Sequence, residues 1–138
     1  GISRHYSSVD DGLREIGNFW KQMDSSIQEL SKSGNQEFKG IIGYISRSVK
    51  GYGIDYTICV SCNKNNNKTN GLKLITIKPS NWIVFHADIE KSEDIQSITY
   101  KIYNDYLPQS EFKINDKYEI ELFDNNGILL SEIWIPLL

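Results

Sequence analysis

The final stretch of the chain alternates polar and apolar residues in a pattern that predicts a two-stranded hairpin. Tyr118 to Phe123 and Ser131 to Pro136 are rich in β-branched and aromatic residues, and both segments alternate with a period of two. The connection between them, Asp124-Asn125-Asn126-Gly127, is typical of a hairpin loop. The last third of the chain is therefore expected to end in two adjacent antiparallel strands.

The same alternation sorts the side chains of this hairpin by face. Glu121 and Phe123 share one face of the first strand, and Glu132 and Trp134 share one face of the second. If these two faces meet in a cavity, they form a pocket with negative charge and aromatic surfaces, which suits a cationic or polar aromatic guest. The alternative is a solvent-facing side, where glutamate is common.

Two segments show the periodicity of helices. Residues 8–31 carry one apolar stripe, with Ser8 as N-cap and Gly34 as a C-terminal stop, and a short coiled-coil seam is the alternative to a helix lying on a sheet. A second helix begins at Ser92 and ends at Pro108. The residues expected on the two buried stripes are Val9, Leu13, Ile16, Trp20, Met23, Ile27 and Leu30, and then Ile95, Ile98, Ile102 and Tyr106.

Strand patterns occupy most of the region between the two helices. They cover 38–46, 54–62, 72–78 and 82–88, and the Asn-rich stretch 63–71 is a polar connection. A strand stub also opens the chain. Because no strand–helix–strand unit carries a nucleotide-binding glycine fingerprint, the order of elements predicts an α+β fold in which two helices pack on one face of an antiparallel sheet.

Size and charge restrict the classes of function. The 138 residues suffice for a single domain spanning 1–138, and no apolar run approaches the length of a membrane span. The net charge of −3, without a dense cluster of Lys and Arg, argues against DNA binding by this chain itself. Its abrupt start at Gly1-Ile2-Ser3-Arg4 fits a domain from a longer protein.

The two cysteines form a Cys-x-x-Cys motif within the 54–62 strand pattern. Cys59 and Cys62 would point to opposite faces of a strand, so an internal disulfide requires the strand to end there. A zinc site would need further ligands, and no second cysteine pair exists. We expect ordinary thiols in a reducing, cytoplasmic setting, and no metal or other cofactor.

Four segments together carry a resemblance to a known family. The chain resembles GyrI-like small-molecule-binding domains, also called AraC-type effector-binding domains, which are related to the SOUL fold. The resemblance spans essentially the whole chain. It rests on the order and spacing of 81–85, 106–112, 120–123 and 132–136.

The resemblance implies a pair of strand–helix–strand–strand repeats related by a pseudo-twofold axis, with a ligand pocket in the groove between them. By position, Glu121 corresponds to the glutamate of the family's Glu-x-Tyr strand and Glu132 to that of its final strand. Phe123 replaces the usual tyrosine, so its hydroxyl is lost. The aromatic residues that the resemblance places around the carboxylates are Trp20, Tyr44, Tyr56, Trp82, Phe123 and Trp134.

The family implies a sensor of cationic, aromatic, multidrug-like compounds. The chain would be the effector-binding module of a transcription regulator, touching DNA only through a domain outside it, or a freestanding protein that sequesters such compounds. A second class is a hydrolase of strained electrophiles in which Glu121 and Glu132 divide the acid and base roles. Haem binding, through His5 or His86, is the third option. The sequence does not specify the oligomeric state.

Overall fold

The computed structural model describes residues 1–33, 40–47, 53–62, 72, 74–90 and 92–138. The predicted helix stop at Gly34 and the Asn-rich connection 63–71 lie outside these residues. The strands are β1 (Ile2–Tyr6), β2 (Ile42–Arg47), β3 (Ile54–Cys59), β4 (Trp82–Ile89), β5 (Tyr118–Phe123) and β6 (Leu130–Pro136). The helices are α1 (Val9–Gln22), α2 (Asp24–Ser33), α3 (Ser92–Lys101) and the short α4 (Leu107–Gln109), with a π-helical segment, Ile102–Tyr106, before α4.

The six strands form one antiparallel sheet with an internal symmetry. The strand order is β1-β3-β2-β5-β6-β4, and each neighbouring pair runs antiparallel. Strands β1 to β3 with α1 and α2 make one strand–helix–strand–strand repeat, and β4 to β6 with α3 make the second. The repeats meet where β2 pairs with β5, so the predicted α+β fold and its pseudo-twofold arrangement are confirmed.

The helices of both repeats pack on the same face of the sheet, which we call the helix face; the opposite side is the open face. Phe19, Ile27 and Ile102 from the helices share one buried core with side chains from the strands. The strand members of this core are Tyr6, Ile54, Tyr56, Ile58, Phe123, Leu130, Ile133 and Ile135. The prediction of two helical units on one face is therefore confirmed.

The first helix is interrupted, which the periodicity did not predict. Ser8 caps α1 as expected, because its Oγ accepts the Asp11 backbone N–H at 3.0 Å. Met23 then leaves the helical conformation, at φ −98° and ψ 10°, and α2 begins at the next residue. Ile27 and Leu30 are nevertheless buried, so the apolar stripe continues on the core side after the break.

The second helix does not end at Pro108 but runs through it to Gln109. The π-helical segment also changes which residues face the core. Because the Leu107 N–H donates to the Ile102 carbonyl, five residues earlier, Leu107 follows Ile102 on the buried side. Tyr106, which the 3.6-residue period predicted to be buried, is 49% exposed.

The strand predicted at 72–78 is wrong, because the described residues of this stretch form no strand. The sheet ends at β1 and β4, so the connection from β3 to β4 must cross β2, β5 and β6. At about 4.8 Å per strand this crossing spans roughly 20 Å, a distance that about six extended residues cover. Residues Leu74–Pro79 therefore lie over the open face instead of joining an edge of the sheet.

Within the part of the chain described here, no helix is both long and apolar enough to cross a membrane.

Candidate functional site

The open face carries a cavity of about 440 Å³ between the sheet and the crossing segment. Tyr44, Trp82 and Trp134 contribute aromatic rings to its wall, and all three were predicted from the sequence as ligand-binding residues. The apolar floor comes from β2 and β5. The full lining consists of Gly1, Ile42, Tyr44, Cys59, Val60, Ser61, Cys62, Leu74, Ile75, Thr76, Ile77, Lys78, Pro79, Trp82, Ile120, Leu122 and Trp134.

Strand pairing explains why these side chains converge. Ile120 lies opposite Tyr44 on one side and opposite Trp134 on the other, so the three residues form one row across the central strands. Trp134 in turn lies opposite Val84, next to Trp82 on the same face of β4. The cavity is thus built across the junction of the two repeats.

The rings on the open face form a continuous aromatic row. Tyr44 contacts Tyr118, Tyr118 contacts Trp82, and Trp82 contacts Trp134, each pair with ring centroids 5.9 Å apart. Tilted and edge-to-face packing of this kind leaves parts of the ring faces available to a guest. Tyr118 was not among the predicted site residues, although the alternation of β5 already placed it on this face.

Acidic side chains are missing from the described residues that line the cavity, whereas Lys78 lies among them. Glu132 is the predicted carboxylate on the cavity face, because it lies opposite Leu122 and two residues before Trp134, on the same face. Its Oε2 is 3.5 Å from Nδ1 of the exposed His86, and its side chain is 26% exposed. Glu132 thus lies on the cavity face of the sheet without belonging to the cavity lining.

The other predicted carboxylate, Glu121, lies on the opposite side of the sheet. It is 7% exposed and accepts a hydrogen bond from the Tyr56 hydroxyl at 2.9 Å. Trp20 Nε1 donates to the same hydroxyl at 3.0 Å, and the Trp20 ring packs on Phe123 with centroids 4.6 Å apart. Glu121, Tyr56, Trp20 and Phe123 therefore form a buried cluster beneath α1, which we call the helix-face cluster.

A second buried carboxylate lies beside this cluster. Glu119 is 9% exposed and accepts a hydrogen bond from the Tyr103 hydroxyl at 2.5 Å. Burial, together with the Glu119 charge, raises the pKa of Glu121 to about 8, and the hydrogen bond from Tyr56 opposes this increase. Burial also raises the pKa of Glu119. At neutral pH the Glu121 carboxyl is therefore mostly protonated.

The structure thus divides the eight predicted site residues between two faces. Glu132, Tyr44, Trp82 and Trp134 lie on the open face, and Glu121, Trp20, Tyr56 and Phe123 lie on the helix face. The expectation that both carboxylates meet in one cavity is wrong, because Glu121 pairs with Ile133 and Leu122 pairs with Glu132, which puts Glu121 and Glu132 on opposite faces. This separation also means that Glu121 and Glu132 do not flank one substrate bond.

Sequence reasoning missed several residues of the cavity. Ile120 and Leu122 alternate with Glu121 and Phe123 in the sequence, so they belong to the other face of β5, but they were not among the predicted site residues. The residues of the crossing segment were missed because their alternation is also typical of a strand. No sequence signal reports that a segment will cross a sheet face, since that depends on where the next strand is placed.

The cysteines border the cavity but show no feature of a reactive or metal-binding pair. Both are free, Cys62 is exposed, and burial raises the pKa of Cys59 to about 11. Among the described residues there is no group of three or more His, Cys, Asp or Glu that could hold a metal ion.

Comparison with known proteins agrees with this architecture. The sequence model of the GyrI-like small molecule binding domain matches residues 1–138, so the chain belongs to that family. One similar solved structure is SAV2435 bound to tetraphenylphosphonium, with 22% identity, a TM-score of 0.84, and coverage of 100% of this chain and 86% of the other. A comparison with curated protein sequences gave no match.

A second similar structure is a protein from Staphylococcus aureus MU50 described as a putative bacterial transcription regulation protein. It is 20% identical, has a TM-score of 0.79, and is aligned over 99% of this chain and 89% of its own. At these identities the two structures establish a shared fold.

Proposed function

We propose that this chain binds small aromatic molecules, cationic ones included, in the cavity on the open face. The observation that carries the proposal is a partly open cavity of about 440 Å³ with Tyr44, Trp82 and Trp134 in its wall. Ligand sites in proteins typically measure about 300–1,000 Å³ and combine a mostly apolar wall with a few polar groups. This cavity meets both conditions.

The lining defines the kind of guest that fits. Ile42, Ile120 and Leu122 provide apolar contact, and the aromatic row offers ring faces to a flat or branched aromatic molecule. A cation over one of these rings gains about 0.5–2 kcal/mol. Glu132 supplies negative charge on the same face, although a guest must reach past the cavity lining to contact it.

Membership of the family and one structural neighbour support cationic ligands as the class. That neighbour, SAV2435, is bound to tetraphenylphosphonium, a permanent cation with four phenyl rings. Broad, multidrug-like specificity fits a wall of large rings, since ring faces accept many shapes. The ligand-contacting roles of Tyr44, Trp82, Trp134 and Glu132 are part of this proposal.

We further propose that residues 1–138 act as the single effector-sensing domain of a cytoplasmic, AraC-type transcription regulator. The description of the second neighbour as a putative transcription regulation protein supports this role. With a net charge of −3, this chain is poorly suited to phosphate contacts, so DNA would be contacted by a domain outside it. A helix-turn-helix encoded upstream in the reading frame would support this role, and a start codon immediately before the codon of Gly1 would favour a freestanding binder.

Calorimetric titration with tetraphenylphosphonium tests the binding site. Trp134→Leu should weaken binding by about tenfold, because it removes one ring from the wall at a loss of about 1–2 kcal/mol. Tyr100→Leu is the matched control, because Tyr100 is 65% exposed on α3 and lies on the helix side of the sheet. Equal affinities for wild type and Trp134→Leu, or no binding to a folded wild type, would contradict the proposal.

A further inference from the structure

Strand β4 forms one end of the sheet, and none of the described strands pairs with its outer edge. It is the longer of the two end strands, with 8 residues against 5 in β1, and it contains neither proline nor lysine. Strand β1 instead carries Arg4 and His5. Proteins usually protect an exposed edge by short length, charge or a bulge, because unpaired backbone groups attract a further strand. The β4 edge is therefore the better candidate for an interaction surface.

Hydrogen bonding to β6 fixes which backbone groups of β4 point outward. The Leu137 N–H donates to the Asn81 carbonyl at 2.8 Å, and Trp82 lies opposite Pro136, which has no N–H. Bonded and non-bonded pairs alternate along an antiparallel ladder, so the residues at positions 83 and 85 bond to β6. The residues whose N–H and C=O groups point away from the sheet are therefore Trp82, Val84 and His86.

A largely apolar groove follows this edge on the helix face. Ile83 and Phe85 line it from β4, and Ile98 and Ile102 line it from the helical side. Tyr106, which the π-helical segment leaves exposed, also lines the groove and packs on Phe85 with ring centroids 5.3 Å apart. Ile83 and Phe85 are only partly buried. Uncovered apolar surface thus lies directly beside unpaired backbone groups.

We infer that the β4 edge binds the same edge of a second copy of this chain, antiparallel and around a two-fold axis at Val84. The two sheets then form one sheet, with 6 strands from each copy. Each Val84 lies opposite its counterpart, and Trp82 lies opposite His86 of the second copy. All outward backbone groups are paired in this register, in about six hydrogen bonds. Moving the axis by one residue would leave one outward residue without a partner in regular strand.

The side chains fit this register on both faces. On the helix face Ile83 lies opposite Phe85 of the second copy, so the two grooves join in one apolar contact. On the open face the exposed His86 lies opposite Trp82 of the second copy, and residues 82–86 bring no like charges together. Because Trp82 also lines the ligand cavity, the second copy reaches the rim of that cavity.

The end of the regular edge limits the contact to a closed dimer. Asp88 has a φ of 66°, and the pairing with β6 shifts between His86 and Ile89. This irregularity ends the regular ladder after His86. Pairing between two identical edges closes around a two-fold axis, whereas pairing of β1 with β4 would continue into a filament. The occupant that matches the β4 edge is therefore a second β4.

Sedimentation equilibrium tests for the dimer. At about 100 μM the wild type should have a mass near twice the 15.9 kDa of one chain. Val84→Pro should raise the dissociation constant of the dimer at least about tenfold, because it removes two hydrogen bonds and puts a ring at the contact. Proline suits the isolated chain, since the Val84 N–H does not bond to β6. Val84→Thr keeps the N–H and is the matched control, and circular dichroism verifies that each variant is folded.

Cysteine cross-linking tests the register in a Cys62→Ser background. Val84→Cys should form a disulfide between copies under mild oxidation by a copper–phenanthroline complex, because facing residues lie about 5.5 Å apart. His86→Cys should not, because its counterpart lies four residues along the strand, about 13 Å away. A monomeric wild type, a folded Val84→Pro with unchanged dimer affinity, or equal cross-linking by the two cysteines would overturn the inference. The proposed ligand site would stand in each of these cases.

Discussion

Glu121 is a carboxyl group whose folded environment disfavours its charge. Its pKa is about 8 in the folded protein, against an ordinary value of 4.5. Between these values the folded state holds a proton that the unfolded state has lost, so the free energy of unfolding decreases as the pH rises from about 5 to about 8. The slope approaches about 1.4 kcal/mol per pH unit for this single group.

Glu121→Gln should therefore remove most of this decrease of the free energy of unfolding with rising pH. The glutamine retains an oxygen that accepts the Tyr56 hydrogen bond, but it does not ionise. Urea unfolding at pH 6 and at pH 8.5 should show that the variant gains stability relative to wild type at the higher pH. Glu132→Gln is the control on the other face, and an equal gain in that variant would contradict this account of Glu121.

Two glycines offer a matched test of how tightly the helix-face cluster is packed. A Cβ at Gly43 would collide with the Tyr56 hydroxyl and lie 3.2 Å from Glu121 Oε1, whereas a Cβ at Gly17 in α1 would meet no atom within 4 Å. Gly43→Ala should cost about 1–3 kcal/mol of unfolding free energy. Gly17→Ala should add about 0.5–1 kcal/mol, because alanine restricts the unfolded chain and favours the helix. Chemical denaturation of both variants measures these changes.

At the scale of an element, the π-helical segment decides which side of the second helix is buried. Leu107→Ala should lower the unfolding free energy by about 2–4 kcal/mol, because Leu107 is 8% exposed in the core. Tyr106→Ala should lower the unfolding free energy by only about 1 kcal/mol. This is the contribution expected from its edge-to-face contact with Phe85, whose ring centroid is 5.3 Å from that of Tyr106. A larger loss for Tyr106→Ala would instead support a regular α-helix with the predicted 3.6-residue stripe.

At the scale of the whole molecule, the crossing segment Leu74–Pro79 connects the two repeats and covers the cavity between them. Leu74 and Ile77 are 54% and 37% exposed, and the described part of this segment forms no strand. A ligand in the cavity gives these residues additional apolar contact and reduces local opening. Their backbone is therefore expected to respond to ligand binding.

Hydrogen exchange followed by mass spectrometry measures this response. Saturating tetraphenylphosphonium should slow exchange at 74–78 by about tenfold or more, as expected when the ligand is present at tens of times its dissociation constant. Exchange at 125–128, in the β5–β6 turn, should stay unchanged, because this turn does not line the cavity. Protection of the turn without protection of the crossing segment would place the ligand elsewhere.

The sequence by itself determined the class of fold and most of its elements. Alternation in 118–123 and 131–136 predicted the final hairpin, because it repeats with the period of a strand. Ser8 predicted the start of α1, because an N-cap acts on backbone groups only a few residues away. The family followed from the order of short motifs, and Tyr44, Trp82 and Trp134 were recognised as candidate site residues. The break at Met23 and the π-helical shift before Leu107 were not visible, since both depend on packing against the sheet.

Only the tertiary structure decided which predicted residues share a site. Period-two alternation tells which side chains of one strand lie together, but not which faces of two strands coincide, because that requires the register between them. The pairing of Leu122 with Glu132 put Glu121 behind the sheet and the aromatic row in front of it. The strand order likewise requires the β3–β4 connection to pass the central strands, and residues 74–79 do so on the open face, where they cover part of the cavity.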